Sequence, residues 1–148
     1  MSDAGHDTRE VGASVNTLSG RIIGASIEVH RHWGPGLLKS AYEECLAHEL
    51  ALAGLDFRRQ LALPVAYRGV RRDAGYRIDL AVEGQVIVEI KSVEQLTPIH
   101  DAQLITYLRL TGYRLGLPIN FNVRTLVSGV KRRANTIDPT SASSAALR

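Results

Sequence analysis

The sequence holds one cysteine, Cys45, among 148 residues. A lone thiol cannot close an internal disulfide, which excludes a stapled secreted scaffold. No apolar run reaches the ~18 residues that a helical membrane span requires. The first fifteen residues carry Asp3, His6, Asp7, Arg9 and Glu10 and lack the apolar stretch of a secretory signal. The expectation is a cytoplasmic protein with no membrane partner. No Gly-x-x-x-x-Gly-Lys-Ser/Thr phosphate loop occurs. His30 and His32 have no partners at zinc-ligand spacing. Lysine is scarce, three against fifteen arginines, so Lys39, Lys91 and Lys131 can be weighed one by one.

What is present is an ordinary globular balance, 45% apolar and 22% charged, which excludes a wholly disordered chain. The length suits one domain, able to bury roughly 68–70% of its unfolded surface in a single core. Net charge is +3 and the pI about 9.3. That mild basicity permits a nucleic-acid partner without demanding one. Residues 1–14 are polar and aperiodic and read as a disordered tail. Residues 134–148 are rich in Ser, Ala and Thr and read as a flexible C-terminal tail. The domain is expected over 15–133.

Within it, Asn16 is placed to cap a first helix whose apolar stripe runs from Ile22 to Val29. Gly34-Pro35-Gly36 stops that helix. A second helix is expected over 38–53, with Gly54 beyond its end. The period then falls to two. Strands are expected over 58–67, irregular at Pro64, then 76–82 and 86–91. A helix over 98–110 follows, with Thr97 as cap and Pro98 at its first position. Gly112 ends it, a buried strand is expected over 113–122, and a last one over 127–133. This α-α-β-β-β-α-β order predicts an α/β fold with a mixed sheet flanked by helices.

The two middle strands fix each other's register. With Glu83-Gly84-Gln85 as the loop, Val82 faces Val86, Leu80 faces Val88 and Ile78 faces Ile90, all on one apolar side. Asp79 then lies opposite Glu89, with Lys91 beside it. Two carboxylates at cross-strand spacing, with the Ile90 carbonyl between Glu89 and Lys91, are hard oxygen ligands that suit Mg²⁺ or Mn²⁺. A metal there acidifies water and stabilises phosphate charge. Lys91 can hold or deprotonate the water, or neutralise phosphate. The alternative is a surface hairpin carrying an acid-base pair. On the following helix His100, Gln103 and Tyr107 share one face, either a substrate-positioning surface or a solvated one. Arg71, Arg72, Lys131, Arg132 and Arg133 are candidates for phosphate contact, as are Arg58, Arg59 and Arg68. Arg77, two residues before Asp79, either meets a phosphate or screens the acids. Cys45 reads as packing, and Asn120-Phe121-Asn122 as structural.

Asp79, Glu89-Ile90-Lys91 and Gln103-Leu-Ile-Thr-Tyr107 together resemble the PD-(D/E)XK nuclease pattern, with the Gln-x-x-x-Tyr element of its RecB-like branch. The chain is similar to the GxxExxY protein family of that superfamily through GPGLLKSAYEECLAHEL (34–50), RRQLALPVAYRG (58–69), residues 75–123 and GVKRR (129–133). The resemblance implies a restriction-endonuclease-like αβββαβ core with an extra N-terminal helix. It implies a metal-dependent nuclease acting on DNA, with Asp79, Glu89, Lys91, Gln103 and Tyr107 as its working residues. One departure stands out. The family's Glu, three residues after Gly36 and three before Tyr42, is Lys39 here. In many such enzymes a first-helix Glu helps bind the metal, whereas a cation repels it. Either Asp79 and Glu89 keep a weakened metal site, or Glu43 stands in one turn on, or the chain binds nucleic acid without cutting. A protein-interaction domain, for instance a homodimer, is the remaining alternative.

Overall fold

The computed structural model describes the backbone of residues 4–136 and the side chains of residues 15–136. Helix α1 spans Ala4–Trp33 and α2 spans Lys39–Leu52. Strands β1 (Phe57–Ala62), β2 (Val65–Tyr67), β3 (Val70–Arg72), β4 (Arg77–Val82) and β5 (Val86–Lys91) follow. Helix α3 covers Pro98–Thr111, and β6 covers Leu115–Asn120. A 3₁₀ turn at Leu126–Gly129 and a short β7, Arg133–Ala134, are the last elements among the described residues. No helix among the described residues is long and apolar enough to cross a membrane.

A five-stranded sheet has the order β1-β4-β5-β6-β7. Only β5 and β6 run parallel, because α3 carries the chain across between them. Helices α1 and α2 cover one face. Their core joins Ile22, Val29, Tyr42, Leu46 and Leu50 to Leu80, Val88, Ile90, Leu117 and Phe121. Helix α3 covers the other face, where Leu104, Tyr107 and Leu108 pack on Ile78, Ala81 and Ile87. Gly116 permits this close approach, since a Cβ there would stand 2.7 Å from Leu104. The mixed α/β architecture expected from the period changes is therefore present.

The β4–β5 hairpin has the expected loop and, from Leu80 to Val88, the expected register. Val82 pairs with Val86 and Leu80 with Val88. Glu83 and Gly84 both adopt positive φ (54° and 65°), the twist that suits a tight hairpin turn. Thr97 and Pro98 open α3 as expected, and Gly112 closes it in the left-handed region.

Three expectations need correction. Helix α1 begins at Ala4, so Asn16 lies inside it rather than capping it; no proline interrupts residues 4–33 to stop the helix earlier. The single strand over 58–67 is two. Pro64 has no N–H for the ladder, so β1 ends at Ala62 and β2 pairs with β3 as a separate hairpin. The last strand over 127–133 is a 3₁₀ turn followed by a single bridge at Val130 and the two paired residues of β7. Gly129 presses so closely on the Asn120 carbonyl that a Cβ would lie 2.1 Å from its oxygen. Gly129→Ala is therefore expected to cost about 1–3 kcal/mol, read as a lower denaturation midpoint with an unchanged slope.

Candidate metal and phosphate site

The site lies where β4 and β5 part. Their paired register stops at Leu80↔Val88. Beyond it β4 stays with β1 as far as Ala62↔Arg77, while β5 stays with β6 as far as Lys91↔Asn120. Two carboxylates bridge the fork. Ile90 N–H donates to Asp79 Oδ2 at 2.8 Å, and Asp79 N–H donates to Glu89 Oε1 at 3.3 Å. The side chains thus satisfy backbone donors that the diverging strands leave behind. Both carboxylates are buried, Asp79 at 2% and Glu89 at 6% exposure.

Asp79 and Glu89 converge as expected, but through hydrogen bonds across diverging strands rather than as a paired cross-strand position, and Ile78 does not face Ile90. Ile78 packs under α3, whereas Ile90 packs under α1 and α2. The irregularity centres on Gln60, which lies between the Arg59↔Leu80 and Leu61↔Ile78 pairs of the β1–β4 register and whose φ is 51°. A regular strand sends successive side chains to opposite faces. Here Arg59 and Gln60 both reach α2. Arg59 donates to Glu43 Oε2 at 2.9 Å and Glu44 Oε1 at 2.8 Å, and Gln60 Nε2 donates to Glu43 Oε1 at 2.7 Å. Gln60 Nε2 also lies 3.3 Å from Asp79 Oδ1. The same oxygen faces Lys39, whose Nζ is 3.1 Å away.

Electrostatics follow from this crowding. Burial, then the Asp79 charge, push the Glu89 carboxyl up to about 7, against smaller opposing pulls that include Lys91 and Lys39. Burial, then Glu89 and Asp79, push the Tyr107 hydroxyl up to about 12. Glu44 is held low by Arg59. The folded Glu89 carboxyl titrates above its ordinary value of 4.5, so folding favours its protonated form. Metal-free protein should therefore lose stability as pH rises from about 5 through 7, by roughly 1.4 kcal/mol for each unit of the shift. Denaturant melts of the wild type and Glu89→Gln across that range check this. The variant's curve should be flatter there, and parallel curves would contradict the assignment.

The other candidate residues divide. Lys91 closes β5 half-buried beside Glu89. His100, Gln103 and Tyr107 line one cavity of about 530 Å³ with Val65, Tyr76, Ile99 and Leu110, a cavity whose lining does not include Asp79, Glu89 or Lys91. Tyr76 meets Tyr107 edge-on at 6.1 Å. His100 has a further task, since its Nδ1 accepts the Thr97 N–H at 3.1 Å. Glu43 lies one turn from Lys39, but both its oxygens are engaged by Arg59 and Gln60. Arg77 pairs with Asp73 at 3.1 Å rather than screening the acids. Arg132 reaches Ser19 at 2.8 Å, and Arg133 pairs with Asp101. Arg71, Arg72 and Lys131 are exposed.

Three positioning residues escaped the sequence reading or its site assignments. Gln60 links Glu43 to Asp79, yet nothing in RRQLALP marks a left-handed residue. Ser92 Oγ donates to the Leu37 carbonyl at 2.8 Å, tying the segment after β5 to the turn before α2. Asn120, read as structural, clamps Val93 through its Oδ1 (3.1 Å) and Nδ2 (2.8 Å). Among the described residues no group of three or more His, Cys, Asp or Glu side chains gathers as a ready metal cage.

The family whose sequence model matches this chain is described as the PD-(D/E)XK nuclease superfamily, and the match covers residues 16–133. No curated protein and no solved structure matches the chain.

Proposed function

The chain belongs to the PD-(D/E)XK nuclease superfamily, and we propose that it is a divalent-metal-dependent nuclease that hydrolyses phosphodiester bonds in DNA. The observation that carries this reading is the convergence of Asp79 and Glu89 at the open end of the β4–β5 pair, with Lys91 at the same strand end. The finer resemblance to the GxxExxY family, with Lys39 in the place of its Glu, belongs to the same proposal.

The residues fit a hard divalent cation by their chemistry. Asp79 and Glu89 offer carboxylate oxygens, and the Ile90 carbonyl is the third candidate ligand. Burial first, and then the Asp79 charge, raises the cost of charging Glu89, which titrates near 7. A cation between them would offset it. Bound Mg²⁺ or Mn²⁺ supplies charge stabilisation at the phosphate and acidifies water.

The chain's own groups have distinct tasks in this proposal. Lys91 orients the attacking water and offsets charge on the scissile phosphate. Gln103 and Tyr107 position the substrate from α3, where the Tyr107 phenol offers an O–H donor. Arg71, Arg72 and Lys131 neutralise backbone phosphates. Arg77, Arg132 and Arg133 join them only by giving up Asp73, Ser19 and Asp101.

A second reading, nucleic-acid binding without hydrolysis, is favoured by one observation, the Lys39 ammonium seated on Asp79. Incubating the protein with labelled single- and double-stranded DNA in millimolar Mg²⁺ or Mn²⁺ separates the two. Cleavage that disappears in Asp79→Asn/Glu89→Gln supports the nuclease. Salt-dependent binding without cleavage supports the second reading, and neither binding nor cleavage at low salt contradicts both.

A further inference from the structure

Asp79 has two carboxylate oxygens, and the fold uses them differently. Oδ2 accepts the Ile90 N–H at 2.8 Å and completes the fork. Oδ1 accepts Gln60 Nε2 at 3.3 Å and is the oxygen left to face a cation, and Lys39 Nζ already stands 3.1 Å from it. We infer that Lys39 is a resident cation that competes with the divalent metal for Asp79 Oδ1, so that metal loading depends on its displacement. This inference rests on the reading of Asp79 and Glu89 as metal ligands.

The position of Lys39 is imposed by the surrounding fold. It is the first residue of α2, directly after the Gly34–Leu38 turn. Tyr42 clamps that turn from within α2, donating its hydroxyl to the Gly34 carbonyl at 2.5 Å and accepting the Leu37 N–H at 3.1 Å. Ser92 holds the same turn from the β5 side, through the Leu37 carbonyl. The turn itself needs left-handed backbone, supplied by Gly34 (φ 64°) and Gly36 (φ 107°). Lys39 is thus delivered to Asp79 from a fixed base.

The two partners differ in freedom. The Asp79 side chain is 3% exposed, whereas that of Lys39 is 45% exposed. The carboxylate cannot turn away, but the lysine stem can swing its charge into water, because four carbons carry a compact, well-hydrated ammonium. A divalent ion and an ammonium on one oxygen would stand at contact distance and repel each other. One must leave, and only Lys39 has an exit. Tethering makes its local concentration constant and high, so it weakens metal binding at every metal concentration. A strand phosphate beside the site offers the released ammonium a new partner. Nucleic acid and metal should therefore reinforce each other through Lys39.

The test titrates Mn²⁺ into wild type, Lys39→Met, Lys39→Gln and Lys39→Arg at neutral pH, reading free Mn²⁺ by electron paramagnetic resonance. Lys39→Met and Lys39→Gln are expected to bind about tenfold tighter or more than wild type, and Lys39→Arg to stay near wild type. Two neutral variants guard against one failing to fold. With an uncleavable phosphorothioate oligonucleotide present, the gap between wild type and Lys39→Met should narrow. Equal affinities in all four proteins would overturn the competition while leaving the metal ligands in place. A gap unchanged by the oligonucleotide would overturn the displacement. No Mn²⁺ binding by any of them at millimolar metal would overturn the inference together with the metal reading beneath it.

Discussion

Asp79→Asn is expected to lower DNA cleavage by about 10³-fold or more while the protein stays folded. The substitution keeps shape and changes donor chemistry. In the wild type the Asp79 carboxylate only accepts, from Ile90 N–H on one oxygen and from Lys39 and Gln60 on the other. Asparagine keeps one accepting oxygen. If that oxygen keeps the Ile90 N–H, its amide nitrogen faces Lys39 and Gln60, donor against donor. The charge that would hold a divalent cation is lost with it. A second readout separates this from simple misfolding. The Asp79 charge is the second cause, after burial, of the raised Glu89 value. Glu89 should therefore titrate below about 7 in the variant, visible in its carboxyl carbon shift. Retained cleavage, or an unchanged Glu89 titration, would contradict the geometry.

Phe121→Ala is expected to cost about 3–5 kcal/mol of stability. Phe121 is fully buried just after β6 and stacks on Tyr42 with ring centroids 4.6 Å apart and an interplanar angle of 14°. Its N–H donates to the Lys91 carbonyl at 2.9 Å. The ring therefore joins the end of β5, which carries Glu89 and Lys91, to the helix that carries Lys39. Removing it opens a cavity that the sheet and α2 cannot both close. Chemical denaturation measures the loss. A cost below about 1 kcal/mol would mean that the site collapses around the gap.

The legible part of this fold was the part set by period and turn chemistry. The alternation of Leu80 and Val82 with Val86 and Val88, closed by Glu83-Gly84-Gln85, determines the hairpin and with it the nearness of Asp79 to Glu89. Helix α3 was legible from Thr97, Pro98 and Gly112. What stayed hidden depends on long-range contact. Gln60 adopts φ 51° in a strand pattern that reads as regular. That residue accompanies the separation of Ile78 from Ile90 and the linking of Glu43 to Asp79. The 3₁₀ turn at Leu126–Gly129 answers to the Asn120 carbonyl, which no local pattern reveals. Arg77, two residues from an acid of the site in sequence, pairs with Asp73, four residues before it. Lys39 was visible as an unexpected cation, but only the fold identifies Asp79, rather than Glu43 or Glu89, as its partner.

The most direct test of the account is the position of a bound metal, read as Mn²⁺-induced broadening of backbone amide resonances. Selective broadening is expected at Asp79, Glu89, Ile90 and Lys91, stronger in Lys39→Met than in wild type, and lost in Asp79→Asn/Glu89→Gln. Broadening centred elsewhere, or unchanged in the double variant, would contradict it.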